Sequence, residues 1–214
     1  MSFIKNNLGW GVIFVLSFFP VLLWAVGRPF EERFSGPART LTSFGQIAGL
    51  VGMAMFALAL ILSGKFGFLE NRFGGPGKTY SAHHFLGAFS FVLLLSHPLF
   101  LAGKYLLISS KSAALFLLPG NDWPINFGIF GLLSLIILLV PTFFMRLPYE
   151  KWKLTHKFLG LTFFLAGFHS FFIPSDIALF LPLKIYMFSL FAAGFLAYIS
   201  TILSLATVTG GASG

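Results

Sequence analysis

The chain has 214 residues, of which 57% are hydrophobic and 9% charged, with a mean hydropathy of +0.91 and a net charge of +8. Soluble domains carry roughly 25% charged residues, so a soluble globular protein is excluded and a membrane protein is implied. The absence of cysteine excludes disulfides, thiolate zinc sites, iron–sulfur clusters and covalent c-type haem attachment.

A spanning helix needs about 20 apolar residues, and six such runs follow one another at 8–27, 43–64, 84–106, 126–144, 154–173 and 181–206. Helix is the only assignment that pairs their backbone groups in lipid, because none shows the alternation of a barrel strand. The expected fold is therefore all-α, a bundle of six transmembrane helices. Short loops leave no room for a soluble catalytic domain. Residues 1–206 read as one membrane domain. Residues 207–214, TVTGGASG, read as a tail: a linker, an expression remnant or the point where a longer protein was cut.

The first run ends in Ala25-Val26-Gly27, which faintly resembles a signal cleavage site. The run is longer than a signal h-region and only Lys5 precedes it as a base, so a retained helix is expected. The loop after the second run contains GGPGKT (74–79), similar to the end of a phosphate-binding loop. That motif needs an earlier glycine where this chain has Arg72, so a Gly/Pro turn between helices is expected. The segment SAALFLLPGNDWP (112–124) is apolar but too short to span, and is expected to lie on the membrane surface or to cover the bundle.

With the amino terminus inside, eight bases (Lys5, Lys65, Arg72, Lys78, Arg146, Lys151, Lys153 and Lys157) fall on the inner side. Six (Arg28, Arg33, Arg39, Lys104, Lys111 and Lys184) fall outside. The compact cluster MRLPYEKWKLTHK (145–157) strengthens this positive-inside bias. A multi-pass cell-membrane protein with both termini cytoplasmic is the expectation.

HHFLGAFSFVLLLSHP (83–98) brackets the start of the third run, and the fifth contains HKFLGLTFFLAGFHSF (156–171). Aligned on FLG, His83 falls opposite His156, and each segment carries a second histidine, His97 and His169, fourteen and thirteen residues on. The third and fifth helices run the same way across the membrane, so the histidines fall at two matched depths ~20 Å apart. An intramembrane histidine marks a functional site by default. Two pairs at matched depths suit two flat cofactors, each clamped from both sides. Haem fits, because neutral imidazole is a standard axial ligand.

His84 is the alternative to His83: it lies thirteen residues from His97 but faces away from it and lacks the FLG alignment. Fourteen residues return His97 to within ~40° of the His83 face, whereas thirteen leave His156 and His169 ~140° apart on an ideal helix. The second pair therefore needs a tilt, a bend or a local bulge. Gly87 and Gly160, one turn after the first histidines, either admit a macrocycle or let helices approach. A helix-to-helix hydrogen bond, a zinc site and a proton pathway are the competing readings of such histidines. Proton pathways usually add carboxylates, and all six acids (Glu31, Glu32, Glu70, Asp122, Glu150 and Asp176) fall outside the runs.

Over residues 8–206 the chain resembles the ferric reductase-like transmembrane domain shared by ferric reductases and NADPH oxidases. That resemblance implies two b-type haems, with iron held by His83 and His156 at the inner level and by His97 and His169 at the outer. It implies electron transfer from a cytoplasmic flavin to an acceptor outside, such as ferric iron or oxygen, with no bond-making residue in the chain itself. Larger members add an FAD- and NADPH-binding domain after the sixth helix. None follows here, so a flavin-containing reductase domain or subunit is the implied partner, beside the lipid bilayer. Arg146, Lys153 and Lys157 either meet haem propionates or a docked flavin, or simply anchor the helix.

The chain is also similar to the haem-binding membrane subunit of the methionine sulfoxide reductase system, where an arginine tends to stand in the place of His83. A cofactor-free, histidine-dependent metal or proton transporter is the remaining alternative. Animal oxidases carry a histidine where Leu101 stands, a departure that counts against superoxide production.

Overall fold

The computed structural model describes residues 2–210, with side chains from residue 8 to 204. Among the described residues the fold is all-helical. In chain order the helices are α1 (Ser2–Val26), α2 (Phe30–Arg33), α3 (Pro37–Ser63), α4 (Gly67–Phe73), α5 (Pro76–Leu106), α6 (Ser110–Phe116), α7 (Trp123–Phe144), α8 (Tyr149–Lys157), α9 (Leu159–Phe172), α10 (Asp176–Leu179) and α11 (Leu181–Gly210). Residues 207–210 of the expected tail continue α11, and 211–214 lie outside the described residues.

Five helices (α1, α3, α5, α7 and α11) are long and apolar enough to cross a membrane. The fifth expected crossing, 154–173, takes a different form. It is divided at Phe158 into α8 and the 14-residue α9. Alone, α9 reaches about 21 Å, short of a hydrocarbon core ~30 Å thick. The backbone does not leave the helical region at the junction, where Phe158 has φ −70° and ψ −9°. It tightens instead: the Phe158 N–H bonds the Thr155 carbonyl at 3.1 Å, and the Leu161 N–H bonds the Phe158 carbonyl at 3.0 Å. These are i→i+3 bonds of the 3₁₀ kind.

The axis of the molecule is α3, buried at every position from Leu50 to Leu60. Packed round it are α5, α11 and α1, while α7 and α9 form a second hairpin beside it. Large apolar side chains such as Phe14, Phe89, Leu133, Ile137, Phe188 and Leu196 are exposed on the outer helix faces. Polar pairs tie the interior together, as membrane helices require. The Ser90 hydroxyl donates to the Gly52 carbonyl at 2.8 Å, joining α5 to α3. Ser134 and Thr162 hydroxyls meet at 2.9 Å, joining α7 to α9.

In the GGPGKT stretch Gly74 and Gly75 form the turn between α4 and α5, and residues 76–79 are the first turn of α5. Gly74 (φ +78°) and Gly75 (φ +120°) occupy positive-φ positions that favour glycine. The Gly75 N–H closes back on the Glu70 carbonyl at 2.8 Å, as in a Schellman C-cap, and Pro76 opens α5.

One buried ionic knot involves Arg28 and Arg33, which the sequence shows only as bases on the outer side. Arg33 is 6% exposed, and its guanidinium bonds Asp176 at 2.9 Å and the Trp24 carbonyl. The same guanidinium lies 3.7 Å from the centre of the Trp24 ring. Arg28 reaches the other Asp176 oxygen at 3.0 Å, and the Ser43 hydroxyl donates to the Arg33 carbonyl at 2.8 Å. One carboxylate thus fixes the end of α1, α2 and α10 against the start of α3.

Candidate cofactor site

Two couples of histidines face each other across the bundle. His83 on α5 meets His156 on α8, with ring centres 6.1 Å apart and planes at 68°. His97 on α5 meets His169 on α9, with ring centres 6.2 Å apart and planes at 72°. All four rings are half-buried. His84 is exposed, and its ring stands edge-on to Tyr80 at 4.3 Å. Of the two neighbours, His83 makes the facing contact.

Three of the four rings are fixed by a backbone carbonyl. His83 Nδ1 lies 2.8 Å from the Ala59 oxygen, His97 Nδ1 2.7 Å from that of Gly45, and His169 Nδ1 2.9 Å from that of Pro124. A carbonyl only accepts, so each Nδ1 carries the proton and each Nε2 keeps its lone pair. This is the usual outer support of a metal-bound imidazole. His156 differs. Its Nδ1 is buried without a partner, and its ring stacks on Trp152 at 5.0 Å and 23°.

The tightened turn at Phe158 lies between His156 and His169. A 3₁₀ residue advances ~120° rather than ~100°, which turns His169 back towards the His156 face and closes part of the ~140° gap of an ideal helix. The two glycines after the first histidines part company. A Cβ at Gly87 would meet nothing within 4 Å, whereas one at Gly160 would overlap the Tyr198 ring. Gly160 is therefore a helix-contact glycine, and Gly87 leaves open space beside His83.

Comparison with known families matches residues 48–167 to the model of the ferric reductase like transmembrane component. The match covers more than half of the chain and takes in His83, His97 and His156. The chain belongs to the ferric reductase-like transmembrane family. A comparison with curated proteins finds no match. The family places the chain among the membrane components of oxidoreductases, and five apolar helices make it a multi-pass membrane protein.

Ferric reductase-like domains are generally haem-binding, and the residues of this chain fit such a group. Metal–imidazole bonds are about 2 Å long, so one atom between two facing ring nitrogens calls for ring centres roughly 6 Å apart. Both couples meet that figure. The donors come in twos: among the described residues no group of three or more His, Cys, Asp or Glu gathers. A bare zinc ion prefers four protein ligands, or three with an open position, whereas a porphyrin supplies four nitrogens of its own and asks the protein for two. The unpartnered His156 Nδ1 and the space beside Gly87 are also compatible with a group that fills the His83 level.

Arg146, Lys153 and Lys157 stand at the α8 end of the molecule, where the Lys153 ammonium lies 5.6 Å from the centre of the Tyr149 ring. The carbonyls of Ala59, Gly45 and Pro124 escaped the sequence reading, since a backbone acceptor leaves no trace in residue type.

Proposed function

We propose that this chain carries electrons across the membrane through two b-type haems, one held by His83 and His156 and the other by His97 and His169. A haem with both axial positions filled by imidazole supplies one-electron transfer rather than ligand chemistry. The observation that carries the reading is the recurrence of one couple between α5 and the α8–α9 segment, at 6.1 Å and again at 6.2 Å. The chain's own part is to hold and orient. Carbonyls of α3 and α7 fix the rings of His83, His97 and His169 with Nε2 unprotonated. Buried Leu86 and Phe163 help keep the interior apolar.

The basic α8 end, with Arg146, Lys151, Lys153 and Lys157, faces the cytoplasm in this reading and suits an acidic or phosphate-bearing donor such as a flavin reductase. His83 and His156 would hold the haem that takes electrons from the cytoplasmic side, and His97 and His169 the haem that supplies them to an outer acceptor such as ferric iron or oxygen. No bond-making residue is assigned.

Histidine replacement tests the assignment. His97→Ala and His169→Ala should each leave one haem per chain with the same remaining spectrum, and His156→Ala should leave the other. Variants that keep both haems would contradict the ligand set. One haem in the unsubstituted chain would favour the sulfoxide-reductase type of subunit, and none would favour a transporter.

A further inference from the structure

The couple formed by His97 and His169 rests on a device that occurs twice. On α3 the Gly45 carbonyl takes the His97 Nδ1–H at 2.7 Å, and Gly49 follows four residues later. On α7 the Pro124 carbonyl takes the His169 Nδ1–H at 2.9 Å, and Gly128 follows four residues later. Residues four apart lie on one face of a helix, and each Cα–Cβ bond tilts towards the amino terminus. A side chain at the later position would therefore stand over the earlier carbonyl, where the imidazole now sits.

The distances bear this out. A Cβ on Gly49 would lie 2.8 Å from His97 Nδ1 and 3.1 Å from its Cε1. A Cβ on Gly128 would lie 2.6 Å from His169 Nδ1 and 2.9 Å from both Cε1 and Cγ. Favourable non-bonded contact begins at about 3.5 Å, so any other residue displaces the ring from its carbonyl. The other couple is built differently. Four residues beyond Ala59 stands Ser63 rather than glycine, and His156 Nδ1 has no carbonyl partner.

We infer that Gly49 and Gly128 are paired positioning residues, which seat His97 and His169 on their carbonyls and so set the tautomer and ring plane of that couple alone. The inference rests on the electron-carrying reading above. It predicts a one-sided effect, confined to one of two haems.

The test uses the full chain with Gly49→Ala and Gly128→Ala. Gly131→Ala on α7 and Gly103→Ala on α5 serve as fold controls, because their new Cβ atoms meet neighbours at an ordinary 3.5 and 3.4 Å. The readouts are haem per chain, a potentiometric titration of the absorption bands, and the ferric EPR signal, which responds to the angle between axial ring planes. Each glycine variant should lose one of the two haems, or shift one titration wave and its EPR signal while the other stays put. Gly128→Ala should show the larger effect, and both controls should match the unsubstituted chain. Two haems with both waves and signals unmoved would overturn the inference, as would equal disturbance of both haems. An unsubstituted chain free of haem would overturn the electron-carrying reading and this inference with it, whereas unmoved variants of a two-haem protein overturn this inference alone.

Discussion

His83 and His84 are adjacent, and a helix turns neighbours ~100° apart, so only one of them faces α8. His83 has its ring 6.1 Å from that of His156 and its Nδ1 on the Ala59 carbonyl, while His84 is exposed beside Tyr80. His83→Ala should therefore halve the haem content and His84→Ala should leave it at two, as read by the absorbance of the purified proteins. The reverse pattern would move the ligand by one residue. The histidines were legible in the sequence because they are rare polar groups inside apolar runs, and FLG put them in register. Their supports were not legible. Any residue offers a carbonyl, and Gly49 and Gly128 are two among 23 glycines, distinguished only by the rings that lie against them.

Among the helices, α1, α3, α5, α7 and α11 could be read directly, because a spanning helix must be apolar over its whole length. The division at Phe158 could not. A tightened turn between Leu154 and Leu161 changes no composition, and lipid tolerates it where neighbouring groups satisfy the backbone. The meeting of Arg33 with Asp176 was equally hidden, since 143 residues separate the partners. Removing one member of a buried ion pair costs about 3–5 kcal/mol. Asp176→Asn, which leaves Arg28 and Arg33 without their shared counter-charge, should lower the thermal denaturation midpoint in detergent while the haem ratio of the folded fraction stays the same. An unchanged midpoint would show the knot to be dispensable. The α9–α11 contact makes a parallel case. Gly160→Val drives a side chain into the Tyr198 ring, and such overpacking costs roughly 1–3 kcal/mol. Melting curves of Gly160→Val and Gly11→Val should therefore diverge, with only the former destabilised, because a Cβ at Gly11 meets nothing within 4 Å.

At the scale of the whole molecule, two antiparallel hairpins, α3 with α5 and α7 with α9, each contribute one histidine to the His97 and His169 level. Residue numbers rise along α5 as their partners fall along α3, from His83 on Ala59 to His97 on Gly45. Ser134 with Thr162 and Pro124 with His169 give α7 and α9 the same sense. That arrangement turns a one-dimensional echo, HHFLG against HKFLG, into two levels ~20 Å apart along α5. Membership of the ferric reductase-like family and the pairing of rings across the hairpins converge on one countable property. The most direct measurement is the ratio of protoporphyrin haem to polypeptide in protein purified after expression with ample haem supply. The account predicts two haems per chain, both low-spin with two imidazole ligands. A ratio of one or zero would contradict it.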